Sequence, residues 1–147
     1  MKTAIVIPAR LQSTRLARKL LLDLCGKSVL QRTYEQARRA RLAGEVVIAA
    51  DSEEILDAAR SFGAAALMTG AHHQSGSERV AEAAASIDAD IIVNIQGDEP
   101  EIDPDHIDAL IEAHEHSGCF ASTLACPFPP SINPDYPAAV KAILADA

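Results

Sequence analysis

Tryptophan is absent from this chain, and three Phe and two Tyr leave aromatic residues at 3% against 48% hydrophobic in 147 residues. The interior must therefore be aliphatic, built from Ala, Ile, Leu and Val, as in layered α/β proteins. Cysteine is scarce and odd in number: Cys25, Cys119 and Cys126 form no C-x-x-C pair. That argues against a disulfide framework and against a cysteine zinc cluster. No His can be placed beside Cys25 to activate a nucleophilic thiol. No apolar run approaches the about 18 residues of a membrane span. The N-terminal apolar run is too short for a signal peptide and is ended by Pro8 and Arg10, so the expected location is the cytoplasm. Neither G-x-x-x-x-G-K-[ST] nor G-x-G-x-x-G occurs, which removes the main support for P-loop and dinucleotide readings. Positive charge is also in deficit, with 13 Lys+Arg against 21 Asp+Glu and a formal net charge of −8. Generic nucleic-acid affinity is not expected from that balance.

What positive charge there is sits early. Ten of the 13 cations lie in the first 41 residues, and Arg10, Arg15, Arg18 and Lys19 follow one another in a single loop. Ahead of them, Ala4 to Ile7 is an apolar, β-branched run that reads as a buried parallel strand stopped by Pro8. A basic loop at the carboxyl end of a buried strand sits where open α/β sheets bind ligands. Guanidinium and ammonium groups there suit a polyphosphate. The same residues also fit a solvated basic turn.

Beyond that loop, Ser28 is a candidate N-cap for a helix with Leu30, Tyr34 and Ala37 on one face, ended by Gly44. Glu45 to Ala50 is a strand, Asp51-Ser52 cap a helix to about Phe62, and Ala64 to Met68 is a weak strand. A polar loop, Thr69 to Arg79, enters an Ala-rich helix over Glu78 to Ser86. Ile91 to Ile95 is the clearest strand. Asp105 to His116 is helical, with Ile107, Leu110 and Ile111 inward. Cys119 to Ala125 reads as a further strand, and Ala139 to Leu144 as the start of another. This β-α-β-α-β-α-β-α-β order predicts one α/β domain over 1–147, with a parallel sheet and helices on both faces.

Three loops at strand carboxyl ends then carry polar residues: 8–19, 69–79 and 96–100. Asp98, directly after a buried strand, suits a hard cation such as Mg²⁺. An acidic turn leading a helix is the alternative reading of Asp98-Glu99. A cationic loop facing an acidic one is what metal-assisted chemistry on a nucleoside triphosphate needs. His72 and His73 are adjacent, their side chains diverge, and hydrogen bonding within the loop explains them better than a metal. His106, His114 and His116 read as a solvated helix face.

The stretches IPARLQSTRLARK, HHQSGSERVAEA, IIVNIQGDEP and NPDYPAAVKAILADA together resemble the N-terminal portion of the 3-deoxy-manno-octulosonate cytidylyltransferase (CMP-Kdo synthetase) family. The resemblance implies a Rossmann-like, doubly wound, mainly parallel sheet of the nucleotide-diphospho-sugar transferase type. It implies transfer of CMP from CTP to the acidic sugar Kdo, giving CMP-Kdo and pyrophosphate for lipopolysaccharide biosynthesis, with Mg²⁺ as cofactor. Carried over by position, Arg10 and Lys19 hold the triphosphate with Ala9, Ser13 and Arg15 beside them. His73, Gln74, Ser75, Gly76 and Ser77 surround cytosine and ribose, partly through backbone groups. Gln96 lies near nucleotide and sugar, and Asp98 binds the metal. Arg10, Lys19 and Asp98 form the implied catalytic set, and a homodimer is a candidate assembly.

Two departures from the family pattern stand out. The family's R-L-P-G-K-P becomes Arg15-Leu16-Ala17-Arg18-Lys19-Leu20 in this chain. Family members also run well beyond this length, and that further part carries most sugar-binding residues, a second metal-binding Asp and much of the dimer surface. A nucleotide-binding fragment without turnover, or a cytidylyltransferase for another acidic sugar, are the alternative expectations.

Overall fold

The structure is a computed structural model that describes residues 1–12, 16–133, 135–136 and 140. Four parallel strands, β1 (Thr3–Ala9), β2 (Glu45–Ala50), β3 (Ala65–Met68) and β4 (Ile91–Asn94), form a sheet in the order β3-β2-β1-β4. Four helices alternate with them: α1 (Val29–Ala37), α2 (Glu53–Ser61), α3 (Gly76–Ala84) and α4 (Pro104–Ser117). The fold is the expected α/β class.

Alternation along β1 divides the core. Ile5 and Ile7 join Leu30, Ile48, Ile55 and Ile111, so α1, α2 and α4 cover one face. Val6 joins Ala49, Val80 and Ala83, so α3 covers the other. Ala4, Ile5, Val6 and Ile7 have no exposed surface, which explains why β1 reads as an unbroken apolar run. Each large aliphatic side chain so buried contributes about 1.5–3 kcal/mol. From β1 to β2 to β3 the crossovers use one face. The return to β4 uses the opposite face, as right-handed connections require. The order in which strands are added therefore reverses between β1 and β4, which makes their carboxyl ends the switch point of the sheet.

Helix ends follow their capping residues. Ser28 Oγ accepts from Gln31 N at 3.1 Å and Ser52 Oγ from Ile55 N at 3.4 Å. Ser75 and Glu78 form a reciprocal capping box that starts α3 two residues earlier than expected. Gly63, at φ +77°, ends α2 in the left-handed region.

Three expectations are corrected. β1 does not stop at Pro8 but runs to Ala9, with Pro8 opposite Ala49. The β1–β4 ladder ends at Val6 opposite Asn94, so the Pro8 nitrogen lies beyond the last hydrogen bond on that side and breaks none. α1 ends at Ala37, not Gly44; Gly44 instead enters β2, where its N–H reaches Thr3 O at 2.8 Å. Cys119 to Ala125 forms no strand. Among the described residues nothing pairs with the outer edge of β4, and Phe120 is fully exposed. A strand is stable only beside a neighbour that takes its amides. His114 Nδ1 instead meets Ser122 Oγ at 2.8 Å. The strand expected over 139–144 falls, but for residue 140, outside the described residues.

Candidate functional site

The loops leaving β1, β3 and β4 meet at the switch point. They enclose a cavity of about 130 Å³ lined by Pro8 and Arg10, by His73, Gln74, Ser75, Gly76 and Arg79, and by Gln96. Close approach builds it. A Cβ on Gly76 would come within 3.1 Å of Gln96 Oε1 and 3.3 Å of Pro8 Cγ, so a side chain there would have to push Gln96 or Pro8 aside for α3 to start this near the ends of β1 and β4. Gln96 itself is held by Asn94, whose Oδ1 accepts from Gln96 Nε2 at 3.0 Å.

Lys19 and Asp98 are brought together beside that cavity. Lys19 Nζ donates to Asp98 Oδ2 at 2.6 Å, joining the loop after β1 to the loop after β4. Both side chains are about two-fifths exposed, so the pair adds at most about 1 kcal/mol to stability. Its interest is position. Behind it, Thr33 Oγ1 on α1 sits 3.0 Å from Gly97 O, and a Cβ on Gly97 would press to 3.1 Å from Pro8 O.

The remaining expected residues divide. Ala9 is fully buried, and its carbonyl accepts from Asp51 N at 3.2 Å. Ser77 is exposed on α3 and lies outside the cavity lining. Ser13 and Arg15 lie outside the described residues. Gln74 N and Ser75 N are occupied by Glu78 Oε2, at 2.7 and 3.3 Å, so these two backbone N–H groups are already engaged. His73 Nε2 pairs with Glu82 Oε2, and the His72 ring packs 4.5 Å from the His73 ring. The His73 contact and the Gly70 N–H hold the Glu82 carboxyl below its ordinary value, against a smaller opposing effect of burial.

The substituted turn shows its geometry. Arg18, where the resembled pattern has Gly, adopts φ +55°, the left-handed conformation that glycine takes without strain. It precedes a 3-10 turn, Lys19–Leu21, and its guanidinium pairs with Glu54 on α2. The extra cation therefore fills a backbone position shaped for glycine and ties the basic loop to α2.

Sequence reasoning missed Arg79 and Asp51. Arg79 is 3% exposed; its Nη1 donates to Thr69 Oγ1 at 2.6 Å, and its Nη2 lies 3.9 Å from Asp51 Oδ2. Asp51 Oδ1 accepts from Leu11 N at 2.9 Å. The S-x-x-E spacing of Ser75 and Glu78 signals the cap, but nothing local signals Arg79's distant partners.

Residues 4–144 match the family model described as cytidylyltransferase. The 3-deoxy-manno-octulosonate cytidylyltransferase of Chloroherpeton thalassium is 57% identical over 111 residues, covering 76% of this chain and 45% of that protein. The enzyme of the same name from Rhodopirellula baltica is 46% identical over 148 residues, covering 99% of this chain and 59% of that protein. Among solved structures, CMP:2-keto-3-deoxy-manno-octonic acid synthetase complexed with CTP superposes with a TM-score of 0.78 at 40% identity. The match covers 80% of this chain and 49% of that one. The chain spans about half the length of the curated relatives it matches.

Proposed function

The chain belongs to the cytidylyltransferase family, and from that premise we propose that its switch-point cavity binds CTP for transfer of CMP to 3-deoxy-D-manno-octulosonate. The observation that carries this reading is the convergence of Arg10, His73, Gln74, Ser75 and Gln96 on one cavity, with the Lys19–Asp98 pair beside it. A space of about 130 Å³ suits a planar base and is too small for a whole nucleotide, so ribose and phosphates extend over the loop ends. His73, Gln74 and Ser75 then face base and ribose. Arg10, Arg15 and Lys19 draw the triphosphate towards the loop after β1, with Ala9 and Ser13 in its backbone path.

The reaction is an in-line displacement. The sugar's anomeric oxygen bonds to the α-phosphorus and gives its proton to solvent. The bond from that phosphorus to the α,β-bridging oxygen breaks, and pyrophosphate leaves with the electron pair. Positioning and charge neutralisation supply most of the acceleration in such transfers, and no covalent protein nucleophile is required. Arg10 and Lys19 bind and orient phosphate oxygens. Gln96 reaches towards the nucleotide and the incoming sugar.

A divalent cation fits the donor set. Asp98 offers one carboxylate beside the place assigned to the phosphates, and no group of three His, Cys, Asp or Glu forms a protein cage among the described residues. Mg²⁺ favours such sites, one carboxylate with substrate phosphates completing its shell. When bound it neutralises charge on the phosphate oxygens. Asp98 would hold it, and Lys19 would then turn from Asp98 to phosphate.

The product CMP-Kdo serves lipopolysaccharide assembly, and the proposed location is the cytoplasm. No helix among the described residues is long and apolar enough to cross a membrane. Residues 1–147 act in this reading as one nucleotide-binding unit, with a second copy of the chain as a candidate partner. A second reading is CTP binding by these residues without turnover. Pyrophosphate release measured with CTP, Mg²⁺ and Kdo separates the two: turnover supports the enzyme, and CTP binding without pyrophosphate supports the second.

A further inference from the structure

Three charged residues on the first two turns of α3 reach back to the loop that precedes it. Glu78 caps Gln74 N and Ser75 N. Arg79 and Glu82, three residues apart and so on one helix face, both reach Gly70. Glu82 Oε2 accepts from Gly70 N at 2.9 Å and also meets His73 Nε2. Arg79 Nη1 donates to Gly70 O at 3.3 Å and to Thr69 Oγ1. One peptide residue is thus held at its N–H and its C=O by opposite charges from the same helix. A Cβ at Gly70 would run into the His72 ring, so a side chain there would have to displace that ring.

We propose that Arg79 and Glu82 are positioning residues, which clamp Gly70 from both sides and thereby set His73 and Gln74 in the wall of the nucleotide cavity. The inference rests on the cytidylyltransferase reading of that cavity. A buried guanidinium is costly unless oxygens surround it. Arg79 meets Thr69 Oγ1, Gly70 O and, more distantly, Asp51. Because Asp51 also holds Leu11 N, the clamp extends from the loop after β3 to the loop after β1. Two cavity walls are therefore set by one helix, as preorganised sites require.

The test pairs amide exchange with ligand binding on the full chain. In nucleotide-free protein, Glu82→Ala should speed exchange of the Gly70 amide. It should also weaken CTP binding with Mg²⁺, read by calorimetry, by on the order of tenfold, with little change in melting temperature because Glu82 is exposed. Glu82→Gln keeps an acceptor oxygen and should restore most of both. Arg79→Lys, compared well below its melting temperature, should also weaken CTP, and the double variant should lose less than the two losses combined. Faster Gly70 exchange with unchanged CTP affinity overturns the positioning role, and unchanged exchange overturns the clamp. A wild-type chain that binds no CTP overturns the ligand reading and the positioning role that rests on it, while the clamp on Gly70 still stands or falls on exchange. The exchange data, taken without nucleotide, identify that failure as one of ligand and not of the clamp.

Discussion

Lys19 Nζ and Asp98 Oδ2 stand 2.6 Å apart, an ion pair that joins the loop after β1 to the loop after β4. The proposed site asks both residues to change partners when nucleotide and metal arrive. Lys19→Ala should therefore weaken CTP more than CMP, by about 1–2 kcal/mol for a charge-assisted contact. Asp98→Asn should flatten the Mg²⁺ dependence of CTP affinity. Calorimetry with both nucleotides, with and without Mg²⁺, checks the pair. Equal losses of CTP and CMP would place Lys19 away from the distal phosphates.

Arg18 occupies a left-handed backbone conformation that costs a non-glycine residue about 1–2 kcal/mol. Its exposed pairing with Glu54 offsets only part of that. Arg18→Gly should leave the chain as stable or raise stability by about 0.5–1 kcal/mol, read from the urea midpoint. A clear loss would show that the ion pair outweighs the strain.

Asp108 is a buried carboxylate on α4. Its Oδ1 accepts from Arg41 N and Leu42 N at 2.8 and 2.9 Å, and its Oδ2 lies 3.0 Å from Arg41 Nε. Burial pushes its carboxyl up, but the Leu42 N–H, the Arg41 guanidinium and the Arg41 N–H outweigh it and hold the group below the ordinary aspartate value. A depressed folded-state value means the stabilisation is present above the ordinary carboxylate range and fades as pH falls through the folded value. Urea unfolding followed downward from neutral pH should show that loss, and Asp108→Asn should remove part of the slope. Asp108→Ala should cost about 1.5–3 kcal/mol near neutrality.

His73 lines the cavity and pairs with Glu82, whereas His72 is exposed and packs on its neighbour. His73→Ala should weaken CTP severalfold, and His72→Ala should have the smaller effect. Fluorescence or calorimetric titration of both variants decides it, and the reverse order would move the site along the loop.

The sequence made legible what local pattern controls. Strands β1 to β4 and helices α1 to α4 follow from buried β-branched runs, 3.6-residue spacing and caps at Ser28 and Ser52. Elements that depend on distant atoms were not legible. Cys119 to Ala125 has strand composition, yet strand formation needs a paired neighbour, and composition carries no sign of one. Asp51 resembles a cap beside Ser52, but Ser52 does the capping and Asp51 holds Leu11 across the sheet end. Nothing in the local sequence marks Asp108, Arg79 and Glu82, because the backbone and side-chain groups they hold lie elsewhere in the chain. For the site, the loops after β1, β3 and β4 were visible as polar stretches, while the side chains that shape them were not.

The central claim is that the switch-point cavity binds CTP, and the most direct measurement is calorimetric titration of the folded chain with CTP and Mg²⁺. The account predicts saturable binding at one site, tighter with Mg²⁺ than without it, and much weaker in Arg10→Ala at unchanged melting temperature. A folded chain that takes up no CTP, or binds it equally well without Arg10, would contradict it.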